Sequence, residues 1–414
     1  MELNKWAESL PNPEGYLKEN QIKSRNHLKE NGLPTKEIES WRLTNPRKLK
    51  KIFDFPVSTS KKLPLGHKNL SKGIDQLEGN VHIILDSLKE DPIENLDLPK
   101  GIRALTSEEI KLNLGDIIYN NSDIEKSSII INEASNTQLL ALKVEGRDLV
   151  NIKINIKSGN GVFSSSRVLL IVEDYSNLNL VYNIEGVQDS ALSHISEIKL
   201  GKQSICNHGV IAFGDNNSSL LSNFIVSQES ESTYSFTSIQ SEWELSRIEP
   251  KIIQASGKAK TNLKGLQVSK QNQEISTHSY VKFKGPEGSL EQLQKAAAID
   301  NSHCIFNGAI KVPQVAQKTN ASQLSRNLLM SNRARIDTKP ELEIIADDVR
   351  CAHGATVSQL QEEELFYLRS RGITSKEASS LLLKGYCKEI IDSLPNNQKD
   401  IDNILDRILE SIKK

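Results

Sequence analysis

Asn151-Ile152-Lys153-Ile154-Asn155-Ile156-Lys157 decides the fold. Isoleucine and polar residues alternate with a period of two, the spacing that makes one face of a β-strand apolar and the other solvated. Asn177-Leu178-Asn179-Leu180 repeats the alternation. Ser128-Ile129-Ile130-Ile131, Arg167-Val168-Leu169-Leu170-Ile171-Val172 and Asn223-Phe224-Ile225-Val226 read as further short apolar strands. Turn signals separate them: Gly159-Asn160-Gly161, Gly214-Asp215-Asn216-Asn217 and Gly285-Pro286-Glu287-Gly288. The pattern fills residues 127–358, and only Ser289–Ala298 offers a helical reading within it. So many short strands without crossover helices exclude a Rossmann-type sheet and leave a sandwich, a barrel or a solenoid. Ile, Val and Leu inside, with Asn and Ser at corners, favour a β-helix whose coils stack on one another. At roughly 20–25 residues per coil the span would hold about ten coils, without a strict sequence repeat.

On either side the pattern is helical. In the mixed region 1–126, residues 14–31 carry helix formers up to the stop Gly32-Leu33-Pro34. Glu39-Ser40-Trp41-Arg42 begins a short helical or irregular piece, Val81-His82-Ile83-Ile84-Leu85 reads as a strand and Ser107-Glu108-Glu109-Ile110 as a helix start. In the region 359–414, residues 362–371 are acidic at the start and basic at the end, matching the helix dipole, and Gly372 stops them. Thr374-Ser375-Lys376-Glu377 is a capping box for a helix that runs to Leu394, before Pro395. Ile401, Ile404, Leu405, Ile408, Leu409 and Ile412 form one apolar stripe. Three small helices cannot bury their stripes alone, so they must pack on the β-domain or on a partner.

The 414 residues carry a formal charge of −1, with 25% charged residues and no basic block, which disfavours nucleic acid as a partner. Met1-Glu2-Leu3-Asn4-Lys5-Trp6 lacks the apolar run of a signal peptide, and no stretch approaches the ~18 apolar residues of a membrane span. A cytoplasmic protein without a membrane contact is the expectation. Cys206, Cys304, Cys351 and Cys387 are scattered, without a disulfide framework or a C-x-x-C pair. No G-x-x-x-x-G-K-[ST] is present, so no nucleotide is expected on this chain.

The chemistry-bearing stretch is Asp347-Asp348-Val349-Arg350-Cys351-Ala352-His353-Gly354-Ala355-Thr356-Val357. On an extended strand Cys351 and His353 point to the same face, and a thiolate beside an imidazole suits iron or zinc. Two ligands do not close a metal site, so further ligands must come from elsewhere, including another chain. Cys206-Asn207-His208 has the same spacing without such surroundings, and the adjacent pair His303-Cys304 reads as strand packing. Cys387 reads as core or partner interface, and Glu362-Glu363-Glu364 as an ordinary acidic first turn.

The stretch Asp347 through Val357, with Asp337-Thr338-Lys339-Pro340-Glu341-Leu342-Glu343-Ile344 before it and Leu365-Phe366-Tyr367-Leu368-Arg369-Ser370-Arg371-Gly372-Ile373 after it, resembles the SufB/SufD family of iron–sulfur cluster assembly proteins, and its SufD branch in particular. Phe306-Asn307-Gly308 with Lys311-Val312 adds to the resemblance, as do Gly32-Leu33-Pro34-Thr35 and Glu39-Ser40-Trp41-Arg42-Leu43-Thr44. The resemblance implies a right-handed parallel β-helix flanked by helical N-terminal and C-terminal regions. It implies a non-ATPase scaffold subunit in a complex with SufB and a SufC ATPase dimer, with a homodimer as the assembly open to it without SufB. It makes His353 an iron or cluster ligand across the interface with SufB and leaves Cys351 a less defined role beside it. The cargo would be a transient iron–sulfur cluster or iron. SufC would dock on the C-terminal helices, where Phe366, Tyr367, Arg369 and Arg371 are the candidate contacts. The sister subunit's ligand cysteine would fall near Ser325-Arg326, where this chain has none, and Cys-Ala-His stands in place of an acidic Glu-His-Glu pattern.

Two other readings compete. A purely structural partner subunit would use the same contacts without ligating metal. A β-helix carbohydrate-active enzyme would need clustered carboxylates and sugar-stacking aromatics, and this chain is only 5% aromatic.

Overall fold

The computed structural model of the protein describes residues 2–58, 80–86, 92–93, 96–395 and 398–413. Among these residues eighteen strands lie in two nine-stranded sheets. From Leu139–Val144 onward the chain alternates between the sheets, so each coil contributes one strand to each. The first sheet runs from Asn80–Leu85 through Leu149–Lys157, Asn177–Glu185, Ile205–Phe213, Thr233–Ser241, Lys260–Ser269, Ser289–Ala298 and Asn320–Leu329 to Arg350–Gln359. The second runs from Ile102–Ala104 through Leu139–Val144, Phe163–Val172, Ala191–Leu200, Ser219–Gln228, Leu245–Gln254, Glu274–Phe283 and His303–Val312 to Arg335–Ile344. Pairing is parallel except between Ile102–Ala104 and Leu139–Val144. This is a parallel β-solenoid, as the alternating runs predict.

Its coils are longer than the expected 20–25 residues. Asn177 pairs with Ile205, and Ile205 with Thr233, a step of 28 residues. Two strands of nine or ten residues and two corners fill that length. At one corner Gln203, Glu231 and Lys258 take positive φ (53°, 60° and 62°). Such backbone is strained for a side-chain-bearing residue. Coil-to-coil hydrogen bonds offset the strain: the Gln203 amide donates to the Ser230 carbonyl (3.0 Å) and the Lys258 amide to the Pro286 carbonyl (2.9 Å).

The alternation places Ile152, Ile154, Ile156, Leu178, Leu180 and Ile184 between the sheets, each almost fully buried. Burial of one such side chain stabilises by roughly 1.5–3 kcal/mol. Two segments depart from the sequence reading. Ser128-Ile129-Ile130-Ile131 lies not in a strand but in the helix Ser127–Ser135. A short apolar run does not distinguish the two states. Here Ile129 and Ile131 pack down on the second sheet while Ser128 reaches Glu249 (2.7 Å) and Asn132 reaches Ser193 (3.1 Å). The other departure is Ser289–Ala298, which is a strand, not a helix. Its Ala- and Gln-rich sequence favours helix locally, but parallel neighbours on both sides supply a ladder that overrides propensity.

The outer faces of the sheets carry the helices. Glu2–Glu8, Lys18–Asn31, Pro46–Lys51 and Ser127–Ser135 cover the second sheet. Trp6 meets Phe53 and Phe163 edge-on, at 5.1 and 5.4 Å between ring centroids. Arg167, fully buried, bridges Glu133 (3.0 Å) and Glu197 (2.6 Å) beneath this cover. Ser375–Ile391 and Gln398–Lys413 pack on the first sheet, where Leu383, Cys387, Ile390, Ile404, Leu405 and Ile408 meet Val181, Ile211, Ile239 and Leu266. The stripe residues Ile401 to Ile408 are thereby buried by the solenoid; the side chain of Ile412 lies outside the described residues. The predicted capping box of Thr374 and Glu377 is present. Among the described residues no helix is long and apolar enough to cross a membrane.

Candidate functional site: the open C-terminal coil

In a parallel sheet in register, residues at equivalent positions stack in columns along the solenoid. Cys351 stands over Ala321 and His353 over Gln323; Ala355 and Val357 stand over Ser325 and Asn327. In the coil beneath, those four partners are all buried, at 0–2% exposure. Arg350–Gln359 and Arg335–Ile344 are the last strands of their sheets, each paired on one side only. Among the described residues no coil stacks above them, so the columns that are core elsewhere emerge at a surface. Cys351 is half-buried against the aliphatic interior, and His353 is exposed. Val357 (45%) and Ile344 (41%) surround them with exposed apolar surface. The two unpaired edges also present backbone donors and acceptors to solvent.

The structure brings Cys351 and His353 together on one strand face, with about 6.6 Å of strand between them. Burial pushes the Cys351 thiol upward, opposed by a backbone hydrogen bond from Ala321. A metal must therefore displace its proton on binding. Among the described residues no group of three or more His, Cys, Asp or Glu side chains could hold a metal ion. An iron centre at this end would have to draw its remaining ligands from another molecule.

Two residues that the sequence reading passed over prepare the floor of the site. The Gln323 side chain, 2% exposed, donates from Nε2 to Gln292 Oε1 (2.8 Å), and Gln292 in turn donates to Ser279 (2.8 Å). Gln323 Oε1 is buried without a partner. Register stacks His353 directly over Gln323, whose free carbonyl is thus one coil away. An imidazole N–H bonded there would leave the other ring nitrogen free to face a metal. Gly308 makes room for this amide: a Cβ there would sit 2.3 Å from Gln323 Nε2. The Gly308 signal was present in Phe306-Asn307-Gly308; nothing local marks Gln323, because its role comes from register.

Cys206 and His208 occupy the same two inward columns deep in the stack and are fully buried. Burial lowers the His208 imidazole to about 3, with His194 adding to the effect, and raises the Cys206 thiol. His208 Nδ1 meets the Tyr234 hydroxyl at 2.9 Å, and its ring packs edge-on against Phe224 and Phe236. The pair is core. His303 faces outward to Asp337 (2.6 Å) while Cys304 faces inward, so these neighbours also part as expected. Cys387 is buried under its helix against the first sheet.

The predicted docking residues lie next to the open coil. Glu362–Ser370 buries none of its residues. Phe366 (72%) and Tyr367 (58%) are exposed, and the Arg371 guanidinium lies over the Tyr367 ring at 5.4 Å. Arg369 is exposed in the last turn. The following helix is fastened to the solenoid by Tyr386, whose hydroxyl donates to the Arg326 carbonyl (2.5 Å), with the Ala296 carbonyl also within reach (3.1 Å).

Fold and site together define a parallel β-solenoid whose last coil is left uncovered, with a Cys-x-His pair in its interior columns. Residues 154–386 match the family described as SUF system FeS cluster assembly, SufBD core domain. The chain belongs to that family. It is 34% identical over 239 residues to an iron–sulfur cluster assembly SufBD family protein of Synechocystis, covering 55% of this chain and 53% of that protein. It is 40% identical to the iron–sulfur cluster assembly protein SufD of Escherichia coli over 123 residues, 30% of this chain and 29% of that one. To SufD of Bacillus subtilis it is 27% identical over 309 residues, 68% of each. The chain spans about half the length of the first curated relatives it matches.

Proposed function

We propose that this chain is a SufD-like scaffold subunit, without ATPase activity of its own, that helps build an iron–sulfur cluster in the cytoplasm. In this reading the open coil docks against SufB and His353 supplies one ligand to iron or to a nascent cluster shared across the interface. Cys351 is a second ligand or a thiol that lines the site. The cluster is cargo, and a small ligand contribution from this chain suits a centre that must later leave. A SufC dimer would dock on the exposed helix Glu362–Ser370 through Phe366, Tyr367, Arg369 and Arg371, and nucleotide-driven closure of that dimer would work on the SufB interface.

The single observation that supports this reading is the emergence of the Cys351 and His353 columns at an uncovered coil with two unpaired strand edges. The coil is incomplete by itself: it has an apolar interior, free backbone groups and too few ligands. Another chain with a similar end would remedy all three. A carbohydrate-active enzyme finds no support in the family match, which is to cluster assembly proteins.

Co-expression with SufB and SufC followed by native mass spectrometry tests the assembly. One copy each of this chain and SufB with two of SufC is the expected species. Failure to associate while SufB and SufC still assemble would reject the scaffold role. Within the assembled complex His353→Ala should abolish most cluster formation. Full cluster formation by that variant, in an intact complex, would leave only the structural role.

A further inference from the structure

A second site lies on the outer face of the second sheet, on the far side of the solenoid from the C-terminal helices. There a cavity of about 310 Å³ opens between residues 38–40, residues 123–125 and the strands Leu245–Gln254 and Glu274–Phe283. Arg247 lies in its wall, 1% exposed. The Arg247 Nε donates to Glu249 (2.7 Å), and Nη1 donates to the Ser40 carbonyl and to His278 Nε2, both at 2.8 Å. The guanidinium also stacks on Trp41 at 4.0 Å. This use of Ser40 and Trp41 gives the Glu39-Ser40-Trp41-Arg42 stretch a structural reason: it clamps Arg247.

The clamp leaves three polar groups over. Arg247 Nη2 is buried without a partner among the described residues, and so are His278 Nδ1 and Ser40 Oγ. All three residues line the one cavity. A guanidinium can only donate, so His278 Nε2 must carry the lone pair and the neutral ring must carry its proton on Nδ1. Burial and the neighbouring Arg247 both hold His278 in that neutral form, against the pull of Glu249. Arg247 Nη2 and His278 Nδ1 are therefore buried donors, and the Ser40 hydroxyl can be a third. Buried donors left without acceptors are rare and costly. Among the described residues no acceptor meets these three groups on the one cavity.

Charge narrows what that acceptor is. Arg247 and Lys251 face a single buried carboxylate, Glu249 (2.7 and 3.0 Å), leaving one positive charge in excess in the buried layer. Toward the rim Asp123 is paired with Lys282 (2.6 Å), and Lys339 serves both Glu39 (2.5 Å) and Glu341 (3.1 Å). The Glu125 carboxylate, held by Trp41 Nε1 (3.2 Å) and the Ser127 amide (2.7 Å), adds negative charge that disfavours a dianion. The donors themselves select the ligand: a carboxylate can accept from several donors at once and brings only one further negative charge to a cavity that already holds Glu125.

We propose that Ser40, Arg247 and His278 form a binding site for the carboxylate of a small monocarboxylic acid. The site is independent of the open coil and of the proposed role in cluster assembly. The test is a titration of the full chain, labelled with ¹⁵N-histidine, with acetate, pyruvate and inorganic phosphate in parallel, read by NMR at His278. Acetate and pyruvate should give a saturable shift of the Nδ1–H signal and phosphate should not. Ser40→Ala, which spares the buried ion group, should weaken the carboxylate by on the order of tenfold. Arg247→Lys, which removes Nη2, should weaken it further while near-ultraviolet circular dichroism reports an unchanged fold. Absence of a saturable shift would mean that water alone satisfies the three groups and would overturn the proposal. Equal affinity in the Ser40→Ala variant would overturn the assignment of the residues, and phosphate binding as tight as that of the carboxylates would overturn the ligand class.

Discussion

Cys206-Asn207-His208 and Cys351-Ala352-His353 have one spacing, lie in one sheet and stand in the same two inward columns of the solenoid. The first pair is sealed in the core and the second lies at an open end. The difference comes from coverage alone: among the described residues five further coils stack above Cys206 and His208, and none above Cys351 and His353. In a solenoid the same pair of ligand residues is packing material in the middle and a site at the end. The chemistry follows burial, which closes the His208 imidazole to ligands and leaves the His353 imidazole accessible.

The largest contrast should appear in thiol reactivity. Cys206, Cys304 and Cys387 are sealed, and burial raises the thiols of Cys304 and Cys387 to about 12. Cys351 is half-buried at the edge of the open coil. Alkylation of the native chain, followed by mass spectrometry, should modify Cys351 at least about a thousandfold faster than the other three, which react only through opening. Comparable rates at Cys206 and Cys351 would break the comparison.

Stability should separate the histidines next. His208→Ala opens a void among Phe224, Phe236 and Tyr234 and strands the Tyr234 hydroxyl, so it should cost about 3 kcal/mol in a denaturant titration. His353→Ala should stay within about 0.5 kcal/mol of the parent in the isolated chain. An equally large loss at His353 would show that the end coil is packed in solution. The smallest effect belongs to the C-terminal helices. Thr374→Ala removes a capping box and should cost about 1 kcal/mol locally, measured as faster amide exchange in Ser375–Ile391 without a change in the solenoid.

Much of this was legible in the sequence where a rule is local. Period-two alternation at Asn151–Lys157 marked strands, and the Thr374 capping box and the Gly372 stop marked helix ends. The Cys351 and His353 pair was legible from spacing, since strand geometry fixes which side chains share a face. Local rules failed where neighbours decide. Ser128-Ile129-Ile130-Ile131 is short enough for either state, and Ser289–Ala298 has helical composition inside a ladder. The coil length was misjudged because corner lengths leave no periodic signal.

The sequence by itself determined the strands, the helical flanks, the family resemblance and the two residues offered as ligands, because each rests on covalent spacing or on a contiguous motif. Only the tertiary structure decided that Cys206 and His208 are core while Cys351 and His353 surface at an open coil. It also stacked His353 over Gln323 and brought Ser40, Arg247 and His278 to one cavity. Those arrangements join residues separated by tens to hundreds of positions, and the forces that fix them, burial and the pairing of buried polar groups, act through space without a trace in local sequence.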